Sequence, residues 1–372
     1  MKHHNFILLF FLLSTLSIRA QIAANYIDKA NQGDSLAQYN LGNCYYNGRG
    51  IEKDYSKAAE WFLKAAKQGV SKAQFNLGLC YKNGNGVPQD YAAAAKWFQK
   101  AAEQNHVDAQ FYLGLCYTNG KGVKQNDVLG ADWIRKAAEN SHAEAELYMG
   151  LCYLNGQGVN QSDSLAADWV HKAARQGFPE AEYYLGNFYT YGKGVERNDS
   201  TAMTWYREAA YQGYPEAEYY LGLCYANGKG VTSKPETAVN WFQLAAKQGN
   251  ADAQYHLAVC YELGNGIEKN LPLAVEWYQK SANLNNAAAQ NRLGSLYLHG
   301  ENVEKNLTTA FNWYSKAAEQ GNVDAEYNVG FCYIRGYGVK QSLKNATQWF
   351  HKAAAQGSEP AKTVLKILDS KK

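Results

Sequence analysis

Ala73-Gln-Phe-Asn-Leu-Gly-Leu-Cys-Tyr-Lys-Asn-Gly-Asn-Gly-Val-Pro-Gln-Asp-Tyr-Ala-Ala-Ala-Ala-Lys-Trp-Phe-Gln-Lys-Ala-Ala-Glu-Gln104 decides the fold. It holds two helical patterns. Ala73, Leu77, Cys80 and Tyr81 recur at i, i+4, i+7 and i+8, an apolar stripe on a 3.6-residue period, and Ala94, Trp97, Phe98, Ala101 and Ala102 form a second one. Asn83-Gly84-Asn85-Gly86 separates them, as expected where a glycine closes a helix in the left-handed conformation. A phosphate-cradling loop would need a third glycine and a preceding strand, and the sequence offers neither.

Outward from this stretch, the same pattern recurs every 36 residues. Trp61, Trp97, Trp133, Trp169, Trp205, Trp241, Trp277, Trp313 and Trp349 are all the tryptophans of the chain, and they share one register. Gly42, Gly78, Gly114, Gly150, Gly186, Gly222, Gly294 and Gly330 share another, with Ala258 in its one gap. Gly-x-Gly stands in eight of the nine repeats, Gly300-Glu301-Asn302 being the exception. Gln68-Gly69 and its counterparts end the second helix, sometimes with Asn105 or Ser141 in the glycine's place. Helices this short cannot bury their apolar faces alone, so each pair must stack on the next, and the small Gly42 and Ala65 registers are expected to let backbones approach.

The residues Ala-Gln/Glu-Tyr/Phe-x-Leu-Gly-x-Cys-Tyr-x-x-Gly-x-Gly-Val, followed by Ala-x-x-Trp-Phe/Tyr-x-Lys-Ala-Ala-x-Gln-Gly, resemble the Sel-1-like repeat family over roughly residues 22 to 368. The resemblance implies an α/α solenoid related to tetratricopeptide repeats, and proteins that scaffold complexes rather than catalyse. Periodicity and resemblance together give the expected fold: all-α, a right-handed α/α superhelical solenoid of nine full 36-residue repeats plus terminal capping half-repeats. The repeats are expected at 37–360, between a capping helix at 21–36 and another at 361–372.

Residues 1–20 read as a secretory signal: Lys2, His3 and His4, an apolar run from Phe6 to Leu16, then Ile18-Arg19-Ala20, with cleavage expected after Ala20. The run is too short for the ~20 residues that cross a bilayer, so the mature chain is expected secreted or periplasmic, with no membrane span. Losing Lys2 and Arg19 leaves 35 basic against 34 acidic residues, a formal charge of +1. A nucleic-acid binder needs a basic face, and no basic cluster is visible.

Cys44, Cys80, Cys116, Cys152, Cys224, Cys260 and Cys332 share one register, with Phe188 and Leu296 completing it. A disulfide wants Cα atoms within ~7 Å, whereas equivalent positions on neighbouring helices lie roughly 9–10 Å apart, so seven buried free thiols are expected. Some cysteine-rich secreted relatives in the family have been described as β-lactamases or penicillin binders. They carry two cysteines per repeat, and this chain carries one. A serine lactamase would need Ser-x-x-Lys, and His-Glu-x-x-His would mark a metal site; the mature sequence has neither. No catalytic residue, metal ligand or cofactor is assigned, and a β-lactamase-like or cell-wall hydrolase or binder stands as the alternative function.

On a helical wheel Ala37, Leu41, Cys44 and Gly48 cluster on the core side, and Leu36, Asn40, Asn43 and Asn47 about 100° round from it. In related solenoids the first helices line the concave surface, which makes the second cluster a candidate groove. The register of Asn40 carries Asn76, Tyr112, Tyr148, Tyr184, Tyr220, His256, Arg292 and Asn328. That of Asn47 carries Asn83, Asn119, Asn155, Tyr191, Asn227, Leu263, His299 and Arg335. Tyrosine offers amphipathic contact area at low entropic cost, and asparagine suits a peptide backbone or a sugar. Asp108, Glu144, Glu180, Glu216 and Asp252 add an acidic margin. The expected function is an exported, monomeric scaffold holding a protein or peptide in this groove. A glycan or peptidoglycan is the other ligand class. Tyrosines that merely pack on neighbouring helices are the competing reading of the row.

Overall fold

The computed structural model describes residues 26–370, and every regular element among them is helical. The first helices of the nine repeats are Ser35–Asn47, Ser71–Asn83, Val107–Asn119, Ala143–Asn155, Pro179–Tyr191, Pro215–Asn227, Ala251–Leu263, Ala287–His299 and Val323–Arg335. The second helices are Tyr55–Lys67, Tyr91–Ala102, Asp127–Glu139, Asp163–Arg175, Asp199–Tyr211, Pro235–Lys247, Leu271–Asn283, Leu307–Glu319 and Leu343–Ala355. A helical segment at 26–31 precedes them and Glu359–Asp369 follows. The expected signal lies outside the described residues.

Local chemistry sets these boundaries. The Asp54 carboxylate accepts from the Lys57 backbone N–H at 3.0 Å, an N-cap that satisfies one of the orphan donors of the second helix. Gly48 closes the first helix at φ 68°, as the glycine pattern predicts. It is exposed rather than part of the core stripe, because the helix ends at Asn47 and the wheel no longer applies beyond it. Where glycine is missing after the second helix, Asn105 (φ 63°), Ser141 (φ 61°) and Asn285 (φ 68°) adopt the same left-handed conformation. The loop then returns: the Asp54 N–H donates to the Tyr45 carbonyl at 3.0 Å, and Asp90 to Tyr81 at 2.9 Å.

Contacts divide the chain into two units. One runs to Ala181 and includes Lys193–Glu196; the other comprises Glu182–Gly192 and the chain from Arg197 onward. Each is built from the same helix pair. In the first unit, the Phe98 ring lies over Gly78, where a Cβ would sit 2.6 Å from the ring, and Ile134 and Val170 cover Gly114 and Gly150 at the same distance. In the second, Phe242 covers Gly222 at 2.6 Å and Tyr314 covers Gly294 at 2.5 Å. The helical glycine thus receives a side chain of its own repeat. The expected approach of backbones between repeats falls instead at the second glycine of Gly-x-Gly: a Cβ on Gly86 would collide with the carbonyl of Tyr55, in the second helix of the repeat before.

Where the first helix carries a buried glutamine, a polar bond also ties the repeat to the one before it. Gln74 is buried, donates to the Ala66 carbonyl of the repeat before at 3.1 Å, and accepts from Gln104 Nε2 at 2.7 Å. Gln290 does the same with Ala282 at 3.1 Å and Gln320 at 2.8 Å. Where glutamate replaces glutamine, the carboxylate keeps only the accepting half: Glu146 from Gln176 at 2.8 Å and Glu218 from Gln248 at 2.9 Å. Burial raises the pKa of both carboxyls above the ordinary glutamate value, against the lowering effect of the glutamine donor. The donor is missing twice. Asn140 is too short and turns to the Lys136 carbonyl at 2.8 Å, and Leu284 has no donor at all. The carbonyl oxygens of Gln110 and Gln254, the two acceptors facing these positions, are buried without a hydrogen-bond partner.

All seven cysteines are buried and unpaired, as the register predicts. Phe188 and Leu296, 2% and 4% exposed, fill the same core position. Burial pushes the Cys80, Cys116, Cys152, Cys224 and Cys260 thiols up to about 11 and Cys332 to about 12, which leaves them protonated and inert at neutral pH.

Two substitutions read out this architecture in denaturant melts of the whole chain. Gly222→Ala forces the Phe242 ring off its seat and should cost about 1–3 kcal/mol. Leu284→Gln supplies the donor that Gln254 lacks and should add about 1 kcal/mol; an unchanged midpoint would mean that water already satisfies that oxygen.

Candidate functional site

The two registers singled out in the sequence lie on the first helices but differ in depth. In the first unit, Tyr112 is half-buried, its ring 5.4 Å from Phe98 and 5.6 Å from Phe75, with the Lys82 ammonium 4.7 Å over it. Tyr148 is more open, 36% exposed, and meets Phe111 edge-on at 5.3 Å. Asn83, Asn119 and Asn155 are exposed, and Asn119 turns its amide back to the Leu115 carbonyl at 2.9 Å. On the same face of the first repeat, Asn40, Asn43, Asn47 and Arg49 line a recess of about 760 Å³.

In the second unit, Tyr184 is half-buried beside Tyr183 at 5.5 Å, and Tyr220 is stacked on Tyr206 at 5.3 Å with an interplanar angle of 28°. His256 stacks on Phe242 at 5.5 Å, and burial lowers its pKa below the ordinary imidazole value. Arg292 is ion-paired with Glu262 and with Glu301, the latter at 3.3 Å. Tyr191 is 63% exposed and Asn227 is exposed. Packing therefore accounts for much of Tyr112, Tyr220 and His256, while Tyr148, Tyr191 and the asparagines face outward.

Three of these residues converge. Tyr191, Tyr220 and Asn227 line one recess of about 140 Å³, together with Thr190, Asp199, Tyr206 and Lys229. It lies between the fifth and sixth repeats. The equivalent place between the seventh and eighth repeats holds a second recess, of about 240 Å³, where Glu262 stands for Thr190, Leu271 for Asp199, Tyr278 for Tyr206 and Arg292 for Tyr220.

The floor of these recesses was not singled out in the sequence. The second-helix residue that covers the helical glycine, or Ala258 in its place, is Phe62, Phe98, Phe242 or Phe350 in some repeats but Tyr206, Tyr278 or Tyr314 in others. A buried hydroxyl needs a partner. Tyr206 finds Asn187 at 2.8 Å and Thr190 at 2.9 Å, and Tyr278 donates to Glu262 at 2.5 Å. The signal was present as a repeat-by-repeat pairing of Tyr on one helix with a polar residue on the other. Among the described residues, no three His, Cys, Asp or Glu side chains gather to hold a metal, and no helix is long and apolar enough to cross a membrane.

The Sel1 repeat profile matches nine consecutive blocks, 35–70, 71–106, 107–142, 143–178, 179–214, 215–250, 251–286, 287–322 and 323–358, each one helix pair with its loops. The chain belongs to the Sel1 repeat family. Its structure is similar to that of c5321, a protective antigen of uropathogenic Escherichia coli strains displaying an SLR fold, at 36% identity and a TM-score of 0.72, covering 91% of this chain and 80% of that one. It is also similar to a Sel1 repeat protein from Oxalobacter formigenes, at 35% identity and a TM-score of 0.64, covering 83% and 89%. Comparison with curated proteins finds no significant match. Among Sel1 repeats, then, this chain keeps the scaffold uniform and varies the side chains that border its recesses.

Tyr220→Ala should cost about 2–4 kcal/mol in a chemical melt, because it removes a ring stacked in the core. Tyr191→Ala should stay within about 0.5 kcal/mol. Equal losses would mean that Tyr191 is as well packed as Tyr220.

Proposed function

We propose that this chain is an exported Sel1-repeat scaffold that holds an extended segment of a partner protein against the outward-facing residues of its first helices. The observation that carries the reading is the convergence of Tyr191, Tyr220 and Asn227 on one recess of side-chain size, from two registers that the sequence marks independently. Exposed tyrosine and asparagine supply apolar contact and amide hydrogen bonds at once, the combination that suits a peptide. Membership of a repeat family supports it further, since stacked helix pairs present one continuous series of variable side chains on a constant backbone. Export rests on Lys2, the apolar run from Phe6 to Leu16 and Ala20.

The test is affinity capture from the native extract with the secreted form of the protein, its N-terminus sequenced to check cleavage after Ala20. Wild type is compared with a Tyr148→Ala, Tyr191→Ala, Asn227→Ala variant, three exposed positions whose loss should leave the melt unchanged. A partner protein retained by the wild type and depleted at least about tenfold by the variant, the loss expected when ~1.4 kcal/mol of contact is removed, supports the scaffold. Equal retention by both would move the binding surface off this face. Loss of peptidoglycan retention in place of a protein would reassign the ligand to a glycan.

A further inference from the structure

We propose that the recess between the seventh and eighth repeats takes an aromatic side chain of the bound segment, stacked on the guanidinium of Arg292. The inference rests on the reading that this face holds a partner segment, and it names the chemistry of one anchor.

The argument begins with how Arg292 is held. Its Nε lies 3.3 Å from Glu262 Oε2, and its Nη2 contacts the other oxygen of the same carboxylate. Nη2 also reaches Glu301 at 3.3 Å, and Nη1 reaches Ser295 Oγ at 3.4 Å. Glu262 is fixed in turn by the Tyr278 hydroxyl at 2.5 Å. Four of the five N–H groups of the guanidinium are therefore committed, and apart from one N–H of Nη1 it is the flat faces that remain for a ligand. A guanidinium face pairs with the electron-rich face of an aromatic ring.

The rest of the recess suits the same ligand. Leu271, Ala274, Val275 and Leu296 make its walls, and its volume is about 240 Å³. An apolar cavity of about 150 Å³ is enough to hold benzene. A carboxylate entering here would face Glu262 and Glu301, and an ammonium would face Arg292. An aliphatic side chain would fill the walls but leave the guanidinium face unused.

Comparison within the molecule points the same way. Between the fifth and sixth repeats Tyr220 occupies the position of Arg292, and its ring stacks on Tyr206 at 5.3 Å. In the seventh repeat the His256 ring does likewise on Phe242 at 5.5 Å. At this position Arg292 puts a guanidinium in place of that ring, beside Tyr278. The charged Asp199 of the smaller recess becomes Leu271, and Asn302 replaces the loop glycine whose missing Cβ lets other loops press onto the helix behind them.

The test uses the whole mature chain and free amides as probes. N-acetyltryptophanamide, N-acetyltyrosinamide, N-acetylleucinamide and N-acetyllysinamide are titrated to about 20 mM, a range suited to the weak affinity of one side chain. Methyl NMR follows Leu271, Val275 and Leu296. The aromatic amides should shift these methyls and bind about fivefold more tightly than the leucine amide, the gain expected from a cation–π contact. Arg292→Lys, which keeps the charge and removes the plane, should reduce that preference. Val275→Phe, which fills the recess from its rim without touching the ion pairs, should abolish the shifts while the melt stays cooperative. Equal binding of the leucine amide, tighter binding of the lysine amide, or no methyl shift with any probe overturns the proposal. Because the amides read the recess directly, absent shifts beside an intact partner capture reject this anchor alone. Shifts beside a failed capture keep the recess and reject the scaffold.

Discussion

The structure depends on a contact that leaves little room for an extra atom: a large second-helix side chain laid over a helical glycine of the same repeat. Phe98 on Gly78, Tyr206 on Gly186 and Phe350 on Gly330 leave 2.5–2.8 Å for a Cβ that is not there. Glycine in a helix interior is intrinsically unfavourable by roughly 1 kcal/mol, so its recurrence needs a packing return. That return is a ring buried almost completely, with Phe98 at 1% and Phe350 at 0% exposure. Ala258 shows the tolerance of the arrangement, since Tyr278 is still only 2% exposed.

Joining one repeat to the next combines apolar packing, as where Phe98 and Ala102 share a core with Ala109 and Leu113 of the following repeat, with polar groups. Buried glutamine answers the end of the preceding second helix with its amide and receives the glutamine of its own second helix with its carbonyl. Glutamate in the same place gives up the first bond and keeps the second. A buried amide left half-satisfied costs about 1–3 kcal/mol, so the positions of Asn140 and Leu284 are places where this chain has relaxed a constraint that its other repeats keep.

Between these two constraints lies a band of residues that neither fixes, and variation collects there. Thr190 and Glu262, Asp199 and Leu271, Tyr220 and Arg292 hold equivalent positions with unrelated chemistry. Each still obeys local rules: a tyrosine beneath the recess brings a hydroxyl acceptor or donor, and an arginine brings two carboxylates. A repeat fold can therefore change what it recognises one recess at a time without disturbing the glycine contact or the amide ladder.

By itself the sequence determined the helix pair, its period, its caps and the burial of the cysteines, because these follow from spacing within one repeat and from the backbone demands of Gly48, Gly84, Asn105 and Ser141. It also marked the first-helix face, since Asn83, Asn119, Asn155, Tyr191 and Asn227 fall on the side of the wheel away from Leu41 and Leu77. The depth of Tyr112 and Tyr220 was a tertiary matter, as a wheel gives direction but not what stands opposite, and Phe98 and Tyr206 stand there. Tertiary structure alone brought Arg292 to Glu262, in the repeat before it. These two side chains meet only when one repeat is laid on the next, and no local propensity encodes that meeting.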